Sequence, residues 1–311
     1  MTPRPAPHRF ASLRLAPQLL CAGALVALCA CAPGESEAAD PAPQPVPEQA
    51  ADTDEVERAF LDLVARLTPP PATASSQLRQ EYFERRREVL GDLSGLPAEL
   101  GLRISRDLAE QRQRNEVLRA DLLEVAARLD PEGLEADLVE LVGSYRGARL
   151  GEELRLRAKG AEVLAQVSPR AAFDLLEPWI LDPTGFGTGP GQEILLAAWI
   201  EAAAHLEVDP SATLAAVATD LRAENPARHL AVTALGERPS ELGRNTLRQV
   251  MLESTGNAYL RRKAAQAIRD SFPTADAIAL FEEVADLEAD ANFLLFLRDV
   301  IHELELEATG G

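Results

Sequence analysis

Regularly spaced prolines constrain the fold of this chain more than any other feature of its sequence. They recur every 29 to 41 residues, at Pro97, Pro131, Pro169, Pro210, Pro239 and Pro273. Proline is tolerated at the first position of a helix because the N–H that it lacks would have no partner there. Five of these prolines adjoin a capping residue, namely Asp130, Ser168, Asp209, Ser240 or Thr274. The spacing therefore predicts six units of two helices each in an all-α chain.

The second helix of each predicted unit carries an apolar stripe that contains small residues. In segment 260–268, residues at i, i+4, i+7 and i+8 fall on one helical face: Leu260, Ala264, Ala267 and Ile268. Segments 156–164 and 227–235 repeat this pattern. Small side chains let two helices approach closely, so we expect the stripe to pack against the first helix and its neighbours.

This pattern resembles HEAT-type α-helical repeats. Their second helix carries an apolar residue and Arg, then Ala three residues later, then Ala and Leu. The resemblance covers residues 97–304 and is clearest at 226–304. It implies an all-α fold, an α-solenoid of HEAT-like helical hairpins over residues 97–311, preceded by an N-terminal helical cap at 54–96. A non-repetitive helical bundle is the alternative.

The N-terminus has the pattern of a lipoprotein signal. Three arginines and no acid precede an apolar stretch at residues 19–30, which is too short to span a bilayer as a helix. The segment that ends it, Leu28-Cys29-Ala30-Cys31, resembles the lipobox of bacterial lipoproteins. The resemblance implies a signal peptide at residues 1–30 and acylation of Cys31, for example with palmitate. An ordinary cleaved signal or an uncleaved anchor is the alternative.

The segment after Cys31 has the composition of a tether. Residues 32–54 contain five prolines and no apolar periodicity, so they cannot bury enough surface to offset their ordering entropy. We expect a disordered tether at residues 31–53. Ala32 directly after the Cys resembles lipoproteins sent to the outer membrane of Gram-negative bacteria. The expected location is the periplasmic face of that membrane, with the inner membrane or the cell surface as alternatives.

Acidic residues outnumber basic ones. The chain has 50 Asp and Glu against 31 Lys and Arg, a net charge of −19. A field of this sign opposes binding to nucleic acid or to anionic lipid headgroups, whereas it favours solubility or a basic partner. We therefore expect membrane contact through the lipid anchor only. No nucleic acid and no small-molecule ligand is predicted.

No sequence motif indicates catalysis or metal binding. The histidines of the mature part lie in different repeats and have no companion at metal-ligand spacing. Segment 286–292 alternates acids like a calcium loop, but Ala291 replaces the required Gly and Leu297 replaces a bidentate Glu. An acidic turn between helices is expected there. We predict no catalytic residue, no metal site and no cofactor.

A glycine-rich segment coincides with the longest interval between the repeat prolines. Residues 184–191 contain four glycines but lack the Lys-Ser/Thr of a phosphate-binding loop. An insertion in a solenoid emerges as a loop on one face, often the binding face. Phe186 is therefore a candidate partner-binding residue, and a plain connector is the alternative.

Three arginines align near the start of the second helices: Arg157, Arg228 and Arg261. We expect them in a row along one side of the array. In one interpretation they pair with acids near the turns of their own or adjacent repeats, which forms an internal ladder. In the other they form a basic stripe that binds an acidic partner or a peptide carboxylate, which Arg can bind bidentately.

The expected function is that of a membrane-anchored, periplasm-facing scaffold or adaptor that binds an unidentified partner protein through its α-solenoid surface. An enzyme or enzyme subunit with an unrecognised active site is one alternative, and a structural envelope protein is another. A cleft with converging titratable groups of strongly shifted pKa would favour the enzyme. A smooth groove would favour binding.

Overall fold

The computed structural model of the chain describes residues 53–110, 113–143, 154–182, 184 and 191–310. Those residues contain fourteen α-helices, one short 3-10 helix at Leu93–Gly95 and no strand. None of the helices described is long and apolar enough to cross a membrane. The predictions for the signal peptide, Cys31, the tether and Phe186 fall outside the described residues.

The helices follow one another in pairs. The N-terminal pair is α1 (Thr53–Leu67) and α2 (Ser76–Gly91). The six later pairs are α3 (Glu99–Ala109) with α4 (Glu116–Leu129), α5 (Pro131–Gly143) with α6 (Leu154–Val167), α7 (Pro169–Leu181) with α8 (Gly191–His205), α9 (Ser211–Thr219) with α10 (Asn225–Gly236), α11 (Glu241–Glu253) with α12 (Ala258–Ser271), and α13 (Thr274–Leu287) with α14 (Ala291–Gly310). The all-α class and the six two-helix units predicted from the prolines are confirmed.

The repeat prolines lie where a helix begins. Two are the first residues of α5 and α7, two immediately precede α9 and α13, and two stand two residues before α3 and α11. Neighbouring polar side chains bind the first backbone N–H groups of these helices. Asp130 Oδ1 accepts from Gly133 N at 3.0 Å, and Ser240 Oγ accepts from Gly243 N at 3.0 Å. Such bonds satisfy donors that have no partner inside the helix.

The helices pack in two rows. The two members of a pair contact each other, and most helices also contact their counterpart in the next pair. Even-numbered helices from α4 to α12 form one row, and odd-numbered helices from α5 to α13 form the other. This packing of sequential neighbours is consistent with a helical repeat array.

Two alanines of the predicted stripes are fully buried and Ala267 is half-buried, and a glycine at the end of α10 sets a close approach between even-numbered helices. Ala231 of α10 and Ala264 of α12 have no exposed surface. At Gly236, the last residue of α10, a Cβ atom would lie 2.7 Å from the Cβ of Ala267 in α12. Real Cβ atoms do not approach so closely, so a glycine fits this contact without a shift of α12.

Candidate functional site

A common register relates the helices of the even-numbered row. The residues equivalent to Arg157 of α6 are Arg119 of α4, Leu196 of α8, Arg228 of α10 and Arg261 of α12. We number each helix from this equivalent position. One surface of the row is formed by the residues two positions before it and one, two and five positions after it. This periodicity follows from the 3.6-residue turn, which places such positions on one helical face.

That surface contains two adjoining cavities. The first, of about 900 Å³, is lined by α2, α4, α6 and α8 and by Leu230 of α10. The second, of about 350 Å³, is lined by α8, α10 and α12. Glu193 and Leu230 line both. The cavities therefore form one continuous depression across the even-numbered helices, which we call the even-helix groove.

Small apolar residues form much of the groove floor. They are Ala120, Ala158, Ala197 and Ala198, with Val117, Ile194 and Leu230 beside them. An exposed aromatic ring stands near each end. Phe83 of α2 is 56% exposed and Tyr259 of α12 is 58% exposed. Exposed aromatic residues beside an apolar floor are typical of surfaces that bind other proteins.

The α2 end of the groove contains a buried polar network. Asp121 of α4 is buried, and its two oxygens bind separate donors from α2. Tyr82 Oη donates to Asp121 Oδ2 at 2.9 Å, and Arg86 Nε donates to Asp121 Oδ1 at 3.0 Å. These bonds hold α2 against the groove side of α4, which explains why α4 is buried on both sides.

The network continues through Glu124, the second buried acid of α4. Its Oε2 atom lies 2.8 Å from Lys159 Nζ and 3.3 Å from the Arg86 guanidinium Nη2. Its Oε1 atom accepts from Arg128 at 3.0 Å. Lys159 Nζ also donates to Glu162 at 2.8 Å. Every charge of this cluster is therefore matched by a neighbour of opposite sign.

The pKa shifts in the network follow from burial and from these contacts. Burial and the adjacent Asp121 carboxylate raise the pKa of Tyr82 to about 12. Burial alone would lower the pKa of Lys159, but its hydrogen bonds to Glu124 and Glu162 raise it. Burial alone would raise the pKa of Glu124, but Lys159, Arg86 and Arg128 lower it. All three pKa values are shifted away from neutral pH, so these groups are poorly suited to act as a general acid or base there.

Beyond the network, three half-buried charges of the groove lack an opposite charge. They are Glu193 and Glu201 of α8 and Lys263 of α12. None of the three forms an ion pair with another described residue. Glu201 accepts one hydrogen bond, from the neutral Gln166 amide at 3.1 Å. These three side chains are therefore available to a ligand of opposite charge.

His229 lies between these charges on α10. Its ring contacts Tyr259 edge-on, with centroids 4.7 Å apart. Burial lowers the pKa of His229, and the nearby Lys263 and Arg228 lower it further. The imidazole is therefore neutral at pH 7 and adds no charge to this end of the groove.

The aligned arginines lie at the boundary between the two rows. Arg261 is 1% exposed, its Nε donates to the Met251 carbonyl of α11 at 2.6 Å, and its guanidinium binds Glu288. Arg228 is also buried; its Nε donates to the Ala218 carbonyl of α9 at 3.1 Å. Each thus satisfies a carbonyl near the C-terminus of the first helix in its own pair.

The same side chains also reach the following pair. Arg228 donates to Ser254 Oγ, just after α11, at 2.8 Å. Glu288, the partner of Arg261, stands just after α13. Arg261 thus pairs with an acid at a turn, as the internal-ladder interpretation expects, whereas Arg228 binds a carbonyl and a hydroxyl instead of an acid. Partner binding by the arginines stays a prediction.

In α8 the register position holds Leu196, and a glutamine one turn earlier makes the equivalent contacts. Gln192 Nε2 donates to the Ile180 carbonyl of α7 at 2.7 Å. Its Oε1 accepts from Glu224 N, at the start of α10, at 2.9 Å. Sequence alignment on arginine alone could not find this residue.

Two further arginines belong to the register. Arg119 is buried and Arg157 is half-buried, and both line a cavity of about 360 Å³ with residues of α3 and α5. Arg119 was missed in the sequence, although the triplets Leu118-Arg119-Ala120 and Leu156-Arg157-Ala158 are identical. The identical triplets are the sequence signal that places Arg119 in the row of aligned arginines.

The acidic turn before α14 binds protein groups. Glu288 pairs with Arg261, and its Oε1 accepts from Asp290 N at 2.6 Å. Asp290 Oδ1 accepts from Asn292 N at 2.9 Å, which caps α14. The described residues contain no group of three or more His, Cys, Asp or Glu side chains placed to hold a metal ion.

Comparisons of the chain with protein-family models, with curated proteins and with solved structures found no match. Function is therefore inferred from the groove itself. Its features are an apolar floor across four helices, exposed aromatic residues near its ends and three half-buried charges without an ion pair.

Proposed function

We propose that this chain is a membrane-anchored, periplasm-facing scaffold or adaptor that binds a partner protein in the even-helix groove. In this proposal the two-row array is an α-solenoid of HEAT-like repeats, and acylated Cys31 holds it at the membrane. The observation that carries the proposal is the continuous groove itself. Arrays of this kind bind proteins along extended surfaces that several repeats share.

The dimensions of the groove support a protein segment as the ligand. The α4 and α12 helices are separated by four steps between neighbouring even-numbered helices. Each step is about 8–10 Å, so the surface extends for about 32–40 Å. A small molecule would occupy a fraction of that length, whereas an extended segment of about ten residues would cover it.

The ionisable groups of the groove support binding over catalysis. The buried cluster of α2, α4 and α6 is internally paired, and the pairing raises the pKa of Lys159 and so keeps it charged. A general acid or base needs a pKa near the working pH and access to a substrate. The cluster is better suited to fixing the end of the groove, because it holds α2 in place.

Cross-linking in intact bacterial cells tests the proposed role. Ala197 is exposed on the groove floor, and Ala212 is an exposed alanine of α9 in the other row. Ala197→Arg places a long charged side chain in the groove, so it should abolish the partner adducts that the wild type forms. Ala212→Arg is the matched control and should retain them. Adducts that survive Ala197→Arg but not Ala212→Arg would overturn the proposal.

The anchor is tested separately. Metabolic labelling with a fatty-acid analogue should mark the wild-type chain and not Cys31→Ala. The variant should also leave the membrane fraction, because no other lipid attachment is proposed. A labelled, membrane-bound variant would show that the anchor lies elsewhere, without bearing on the groove.

A further inference from the structure

We propose that the groove binds an extended peptide segment that carries a basic residue over α8 and an acidic residue five or six positions away, over α12. This inference rests on the proposed function and specifies its partner. It depends on the order of unpaired charges across the groove, with two carboxylates on α8 and one ammonium group on α12.

The α8 carboxylates flank the groove floor. Glu193 and Glu201 are eight residues apart, and Ala197 lies midway between them. At about 1.5 Å per residue, each is about 6 Å along the axis from Ala197. A peptide that crosses α8 over Ala197 thus has a carboxylate on either side. An arginine or lysine side chain is long enough to reach one of them.

The charges at the two ends of the groove differ in availability. Arg86 and Lys159 already bind Asp121 and Glu124. Arg155 of α6 also lines the groove, but it is exposed, so water and salt screen its charge. Lys263, near α12, forms no ion pair with a described residue, and its neighbour His229 is neutral at pH 7. A partner carboxylate is therefore attracted to the α12 end.

Partial burial makes these charges selective. Exposed pairs contribute little because water and salt screen them. Glu193, Glu201 and Lys263 are half-buried beside apolar residues, so a bound peptide would remove more water from them. A segment with reversed charges would place like charges together, which strongly disfavours binding.

The spacing between the two peptide charges follows from the fold. The α8 helix contacts α10, and α10 contacts α12, so α8 and α12 are two steps apart. Two steps of about 8–10 Å give about 16–20 Å. An extended chain covers that distance in about five or six residues, at about 3.3 Å each. Leu230, between the two charges, should contact an apolar residue of the peptide.

Selection from a phage library of random twelve-residue peptides on the full chain tests this inference. Enriched peptides should carry Lys or Arg and, five or six positions away, Asp or Glu, with an apolar residue between. A synthetic version of the strongest binder is then titrated by fluorescence anisotropy. Enriched peptides that lack this charge pattern, or the absence of any enrichment, would overturn the inference.

Charge-neutral variants locate the binding. The double change Glu193→Gln with Glu201→Gln should lower the affinity for the peptide at least tenfold. Lys263→Gln should lower this affinity severalfold. Glu282→Gln, on an exposed acid of α13, is the control and should leave affinity unchanged. Equal affinity for all variants would overturn the charge assignment.

The outcomes separate this inference from the proposed function. A peptide with the expected pattern that still binds Ala197→Arg would place its contact outside the groove and overturn the peptide assignment. Cellular adducts that survive Ala197→Arg but not Ala212→Arg would overturn both proposals. Cellular adducts that are lost in Ala197→Arg, together with peptides of the wrong pattern, would overturn the peptide assignment alone. The groove would then bind a partner of another charge pattern.

Discussion

Replacement of Arg261 by methionine should destabilise the C-terminal part of the array more than any exposed arginine replacement. The Arg261 side chain is 1% exposed and the Glu288 side chain that it binds is 5% exposed. The guanidinium carbon also lies 3.8 Å from the centre of the Phe293 ring. Methionine fills a similar volume, but it leaves Glu288 without its cation.

The magnitude follows from the burial of the pair. Removal of one partner from a buried ion pair costs about 3–5 kcal/mol, because an uncompensated charge remains. At Arg228 the bound groups are a carbonyl and a hydroxyl, so Arg228→Met should cost only about 1–3 kcal/mol. Arg170→Met removes only the exposed ion pair Arg170–Asp174, so it should cost about 0.2–1 kcal/mol and serves as the baseline.

Urea unfolding followed by circular dichroism at 222 nm measures these differences. The order of destabilisation should be Arg261→Met, then Arg228→Met, then Arg170→Met. Hydrogen exchange should show that Arg261→Met loosens α12 to α14 first, because repeat arrays unfold by neighbouring units. A second change, Glu288→Gln, should restore part of the loss in the Arg261→Met background, because it removes the unpaired charge.

Two results would refute this reasoning. One is an Arg261→Met cost no larger than that of Arg170→Met. The other is further destabilisation by Glu288→Gln in the Arg261→Met background. Either would show that Glu288 does not depend on Arg261 for its stability in the folded chain.

Three other changes have defined outcomes. Tyr82→Phe removes the hydroxyl that binds Asp121, so it should cost about 1–2 kcal/mol and speed hydrogen exchange in α2. Gly236→Ala should cost about 1–3 kcal/mol, because the new Cβ would lie 2.7 Å from that of Ala267; an unchanged melting temperature would contradict this. Burial raises the pKa of Glu224, so its protonated carboxyl group contributes stability at low pH that is lost as pH rises through the folded-state pKa. Glu224→Gln should therefore raise the melting temperature at pH 7 and have less effect at pH 4.

The sequence predicted the helix pairs because their determinants are local. Proline, a capping side chain and a short apolar period lie within a few residues of each helix start. The number of the later pairs and the places where they begin followed from them. The resemblance to the repeat extends to residue 304, whereas α14 continues to Gly310, because nothing in its sequence marks a local stop.

The groove could not be predicted in the same way, because its contacts are distant in sequence. Tyr82 and Asp121 are 39 residues apart, and neither belongs to a recognisable motif. The acceptors of the arginine ladder include backbone carbonyls, which leave no signature in the sequence. The prediction of a row of arginines was useful because it set the register from which the groove positions could be found.

The most direct test of a binding role for the groove is photo-cross-linking from single positions in the cell. A photo-reactive amino acid is placed at Ala158 or Ala197 in the groove, or at Ala212 on the other row. The groove positions should give discrete adducts with a partner protein, and Ala212 should give none. Adducts from Ala212 with none from the groove would contradict the proposed function.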